Sequence, residues 1–114
     1  MADTLEPSVK PAVFPAMDVE TALRKELITA AKSAAELEGV AFPVDPKAQA
    51  AASIQIDSLV VVQTLVAAEK PIGFELRDHL VRAGGYTSVD EALGHLMPRI
   101  EKEWTKRIGK GDKS

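Results

Sequence analysis

Ser53-Ile54-Gln55-Ile56-Asp57-Ser58-Leu59-Val60-Val61-Val62-Gln63-Thr64-Leu65-Val66 is the stretch on which the fold turns. Two readings compete for it. Val60, Val61 and Val62 favour strand by propensity. Ile54 and Ile56 alternate with polar neighbours, as a half-buried strand does. Against that, Leu59, Val62 and Val66 share a helical face, and Thr64 to Lys70 continues without a turn signal. Local physics leaves strand and helix evenly matched. Pro71 ends the element under either reading.

Upstream, Asp18 to Glu38 reads as a helix. Val19, Leu23, Leu27, Ala30, Ala34 and Leu37 recur at steps of three and four. Asp18 is a good N-cap, Glu20 suits the positive first turn, and Gly39 stands where helices stop. A long connection, Val40 to Ile56, follows. Pro43 and Pro46 exclude regular helix at its start, and the Ala-rich Lys47 to Ser53 allows a turn or two. Val40, Phe42, Val44, Ile54 and Ile56 are its expected apolar anchors. Residues 1–17 hold Pro7, Pro11 and Pro15 and read as a disordered leader. The alternative is that Val13 and Phe14 dock on the domain as a staple.

Downstream, Glu75 to Arg82 reads as a short helical turn carrying Leu76, Leu80 and Val81, stopped by Gly84-Gly85. Ser88 to Trp104 is the last expected helix. Ser88 and Glu91 have capping-box spacing, and Leu93, Leu96, Ile100 and Trp104 form an apolar stripe. Pro98 predicts a kink or an end near Met97. Residues 108–114 read as a flexible polar tail, which leaves 18–107 as the folded domain.

Composition narrows the function. With 114 residues there is room for one domain. Apolar residues make up 46% and charged residues 27%, as in ordinary globular proteins. No apolar run approaches the roughly 20 residues that span a bilayer, so no membrane span is expected. A net charge of −3 argues against nucleic acid as a partner, because phosphates must be met by excess Lys and Arg. The absence of cysteine removes disulfides, thiolate nucleophiles and cysteine-held zinc, and fits a reducing, cytoplasmic setting. No basic stretch followed by an apolar one marks Met1 to Met17 as a secretory signal. Aromatics are only 4%, so the core must be Leu, Val, Ile and Ala, which suits a small helical bundle. His79 and His95 are the only histidines, lack chelating spacing, and read as ordinary helix-surface imidazoles. Neither a metal site nor an arranged nucleophile is expected, and the chain does not read as an enzyme.

Asp57-Ser58-Leu59, with small and apolar residues before it and apolar residues after it, resembles the D-S-L motif of acyl carrier proteins. Glu69-Lys70-Pro71-Ile72-Gly73-Phe74-Glu75-Leu76 looks like that family's link into its third helix. Tyr86-Thr87-Ser88-Val89-Asp90-Glu91-Ala92-Leu93 looks like the start of its fourth helix. The similarity covers Val19 to Met97. It implies an all-α four-helix bundle with a long first loop, and resolves the ambiguous stretch as a helix opening at Ser58. It further implies a 4′-phosphopantetheine arm on the Ser58 hydroxyl, flanked by Asp57, that carries acyl groups as thioesters in fatty-acid, lipid or polyketide-type biosynthesis. The implied partners are a phosphopantetheinyl transferase and acyl-loading and acyl-transferring enzymes, met by a monomeric carrier that does no chemistry itself. Two alternatives stay open: a peptidyl carrier for amino acids, and an unmodified binding or regulatory module in which Asp57 or Ser58 merely caps the helix. Family members usually have a strongly acidic second helix. Here the matching segment shows Val60, Val61, Gln63 and Thr64, Glu69 alone keeps the charge, and Lys70 reverses it. The expected partner surface is therefore Leu59, Val60, Val61 and Thr64, in a specialised member with its own partners. Leu59, Val62, Ile72, Phe74 and Leu80 are expected in the core.

Overall fold

The computed structural model describes residues 13–113, with side chains for 13–107. Among these, four α-helices and one short 3₁₀ turn form a small helical bundle: α1 (Ala16–Glu38), α2 (Pro46–Ala51), α3 (Ser58–Ile72), the 3₁₀ turn Asp78–Leu80, and α4 (Val89–Lys113). None of these helices is long and apolar enough to cross a membrane.

Helix α1 is the spine. It buries Val19, Leu23, Leu27, Ala31 and Ala35, a strict four-residue step that tilts the buried line around the helix. The drift leaves Leu37 89% exposed and Ala30 and Ala34 only half-buried, so the expected stripe is corrected toward its end. Asp18 lies within the first turn rather than capping it; Pro15 holds the N-cap position. At the other end Gly39 takes φ 71°, and Val40 N–H reaches Ala35 O at 2.9 Å. That closure satisfies carbonyls the helix leaves open.

The ambiguous stretch is helical from Ser58 on. Its buried face is Val61, Thr64, Leu65, Ala68 and Ile72, one step round from the expected Leu59, Val62 and Val66 face. Leu59 is 70% and Val66 63% exposed, and Val62 is half-buried. Of the expected core residues, Ile72 and Leu80 are buried and Phe74 is half-buried. Both faces of this helix are apolar, so only packing against α1 selects the phase. Pro71 does not end α3; the helix runs one residue further, where Ile72 is fully buried. A proline so close to the C-terminus forfeits one hydrogen bond, and burial of an isoleucine, worth about 1.5–3 kcal/mol, outweighs it. The strand signal survives only as an isolated antiparallel bridge between Ile56 and Tyr86.

Other boundaries also shift. Pro46 opens α2 at its first position, where proline has no hydrogen bond to lose, and Asp45 Oδ2 accepts the Ala48 N–H at 3.1 Å. In the connection Ile54 and Ile56 are buried and Phe42 half-buried, but Val40 and Val44 are exposed. The helical turn expected at Glu75 to Arg82 shrinks to the 3₁₀ turn. Pro98 neither ends nor divides α4. Pro98 and Gly94, whose carbonyl the ring deprives of its donor, both face solvent, while Leu96 and Ile100 are fully buried. The backbone stays helical through 108–113, the stretch read as a flexible tail. The disordered leader expected over 1–17 lies outside the described residues as far as residue 12. Beyond it the staple is present in part: Phe14 packs its ring 5.8 Å from Trp104, while Val13 is 76% exposed.

Candidate functional site

The start of α3 is built from both sides of the chain. Asp57 is extended and caps the helix, its Oδ1 accepting the Leu59 N–H at 3.3 Å. Ser58 follows as the first helical residue, half-buried. A helix start has N–H groups without intrahelical partners and a partial positive charge, so a serine there suits an anionic phosphodiester. Asp57 is exposed beside it.

The segment that delivers Ser58 is pinned. Ile56 N–H donates to Tyr86 O at 2.8 Å, Tyr86 N–H returns to Ile56 O at 3.0 Å, and Ile54 N–H donates to Thr87 O at 2.9 Å. Gln55 Nε2 adds a bond to Gly84 O at 2.8 Å. Gly85 makes this approach possible. Its φ is 80°, and a Cβ there would fall 2.0 Å from Ile56 O and 3.0 Å from Ser58 N. The sequence marks Gly84-Gly85 only as a stop. The Gly85 approach to Ile56, 29 residues away in the chain, has no sequence signal of its own.

The expected partner surface divides in two. Leu59 projects outward, and Val60 is half-buried beside a shallow groove of about 160 Å³ shared with Glu26, Thr29, Ala30 and Gln63. Val61 is fully buried, and Thr64 is buried with its hydroxyl donating to Val61 O at 2.7 Å. Val61 cannot meet a partner, which corrects the expected surface there, and Thr64 shows only an edge to the same groove. A second groove of about 300 Å³, bordered by Glu26, Gln63, Val66 and Ala67, continues the first. The outer face of α3 thus presents Leu59, Gln63, Val66 and Lys70. Thr29 and Ala30 border Val60, and Glu26 borders Val66, so α1 and α3 run antiparallel.

A polar cluster that the sequence reading passed over lies behind this loop. His79 is exposed, as expected, but His95 is half-buried, with Nδ1 2.7 Å from the Tyr86 hydroxyl. Glu91 Oε1 accepts from Thr87 N–H at 2.7 Å and from Thr87 Oγ1 at 2.9 Å, and meets Arg82 at 3.1 Å. Those partners, the Thr87 backbone first, hold its carboxyl down at about 2. Ser88 Oγ accepts the Glu91 N–H at 3.0 Å, so the Ser88–Glu91 spacing does mark a cap. The glutamate returns to Thr87 rather than to Ser88.

No family model matches this chain, and no curated protein and no solved structure matches it either.

Proposed function

We propose that this protein is a carrier that holds an acyl group or related acid as a thioester on a 4′-phosphopantetheine arm attached to Ser58. The observation that carries the reading is the placement of the D-S-L segment: Asp57 caps α3 and Ser58 is its first residue, on a pinned loop. A helix of that kind supports an attached phosphodiester through its open N–H groups. When bound, the arm supplies a thiol for the thioester. Ser58 provides the attachment oxygen, Asp57 fixes the helix start, and the loop against residues 84–87 sets where the hydroxyl points. The protein itself performs no chemistry in this reading, and its partners are a phosphopantetheinyl transferase and acyl-loading and acyl-transferring enzymes. Leu59, Gln63 and Val66 form the face they would meet, with Val60 at its edge. The bundle is of acyl-carrier type in this proposal, and the acyl reading stands ahead of a peptidyl one on the family resemblance alone.

Labelling with a fluorescent coenzyme A analogue and a broad-specificity transferase tests the attachment. Wild type, Ser53→Ala and Ser88→Ala should take up label and Ser58→Ala should not. Label retained in Ser58→Ala, or absent from wild type, contradicts the proposal.

A further inference from the structure

Tyr86 is fully buried, yet its hydroxyl serves two partners. It accepts the Arg82 N–H at 3.0 Å and lies 2.7 Å from His95 Nδ1. Every group is satisfied when the phenolic proton points at Nδ1 and the imidazole is neutral, with its own proton on Nε2. The backbone of the same tyrosine exchanges two hydrogen bonds with Ile56, two residues before Ser58. Tyr86 therefore ties α4, through its side chain, to the segment that leads into α3.

We propose that the Tyr86–His95 pair is a proton-operated latch on the segment that presents Ser58. Protonating Nδ1 turns an acceptor into a donor. The phenolic oxygen then faces two donors, and its own proton loses its acceptor inside the protein, which leaves a buried donor unsatisfied. The new cation also arrives among like charges. Arg82 lies over the Tyr86 ring at 4.6 Å, and Arg99 stands one turn along α4; Glu91, one turn back, is the opposing charge and is already engaged by Arg82. Burial first, then Arg99 and Arg82, hold the imidazole below its ordinary value of 6.5, while Glu91 works the other way. The sign follows: an opened loop exposes the imidazole, which then binds a proton more readily than in the closed form. The latch is fully set above the ordinary histidine range and is released as pH falls through the depressed folded value. The inference does not depend on whether Ser58 is modified.

Amide hydrogen exchange on the full chain, followed by NMR between pH 5 and 8, tests it. The readout is protection of the Ile54, Ile56 and Tyr86 amides, corrected for intrinsic exchange and compared with Leu23 and Leu27 in α1. As pH falls from the ordinary histidine value of 6.5 toward the lower His95 value read from its ring resonances, protection of the three loop amides should drop by up to about tenfold per pH unit and level off below that value, with α1 unchanged. His95→Asn keeps an amide near the Nδ1 position without titrating, and Tyr86→Phe keeps the ring without the hydroxyl. The first should flatten the dependence and the second should weaken it. Should His95→Asn fail to fold, Tyr86→Phe and the wild-type titration still decide. Flat protection in wild type, equal loss in α1, or an undiminished pH dependence in the folded variants overturns the latch.

Discussion

Replacing Gly85 by alanine should be far more damaging than the same change one residue earlier. Both glycines have left-handed backbones, with φ of 88° at Gly84 and 80° at Gly85. A Cβ at Gly84 meets nothing within 4 Å, whereas at Gly85 it would fall 2.0 Å from Ile56 O. The conformational cost is common to both, about 1–2 kcal/mol for an L-residue forced left-handed. At Gly85 the backbone must also separate, weakening the Ile56–Tyr86 pair, and two backbone hydrogen bonds at about 1 kcal/mol each add about 2 kcal/mol. Gly85→Ala should therefore cost about 3–4 kcal/mol and Gly84→Ala about 1–2 kcal/mol. Urea unfolding of the two variants beside wild type measures the difference, and amide shifts of Ser58 and Leu59 report whether the start of α3 has moved. Equal destabilisation by the two variants, or an undisturbed Ser58 amide in Gly85→Ala, would refute the argument that this glycine sets the loop.

Phe14→Ala should lower the thermal midpoint by about 5–10 °C, because the Phe14–Trp104 contact is worth about 1–2 kcal/mol in a domain of this size; an unchanged midpoint would mean the ring contact stabilises nothing. The Glu91 carboxyl is held below the ordinary 4.5, so its contribution is complete above that value and fades as pH falls toward about 2. The stability gap between wild type and Glu91→Gln should accordingly close on acid titration over that window, and a gap independent of pH would contradict the assignment. Partner recognition by an apolar α3 face should vary little with salt, although charges in water are screened beyond about 10 Å at 0.1 M. Loading rates with a partner enzyme should fall in Leu59→Ser and Val66→Ser; a steep salt dependence with no effect of either variant would return recognition to charge.

How much of this was legible in the sequence depended on whether one face alone was apolar. Helix α1 alternates cleanly, so its extent and its stop at Gly39 could be read directly, within two residues at the start. In α3 the three valines supply apolar groups to every face, so neither the element type nor its buried side followed from periodicity. The structure takes Val61 inside and leaves Leu59 outside, a choice made by the facing surface of α1. Prolines misled in a consistent way. Pro46 opens a helix, where the missing N–H costs little. Pro71 in a last turn and Pro98 on a solvent face each forfeit a hydrogen bond that the burial of Ile72, and of Leu96 and Ile100, offsets. Asp57 and Ser58 stood out because a local motif carries them. Gly85, Tyr86 and His95 did not, because their roles arise from contacts across the fold.

The most direct measurement of the central claim is the intact mass of the unmodified chain after incubation with coenzyme A and a phosphopantetheinyl transferase. The account predicts a gain of one phosphopantetheine group in wild type, located by fragmentation on Ser58, and no gain in Ser58→Ala. An unchanged wild-type mass with an active control carrier in the same reaction, or a group located on any other residue, would contradict it.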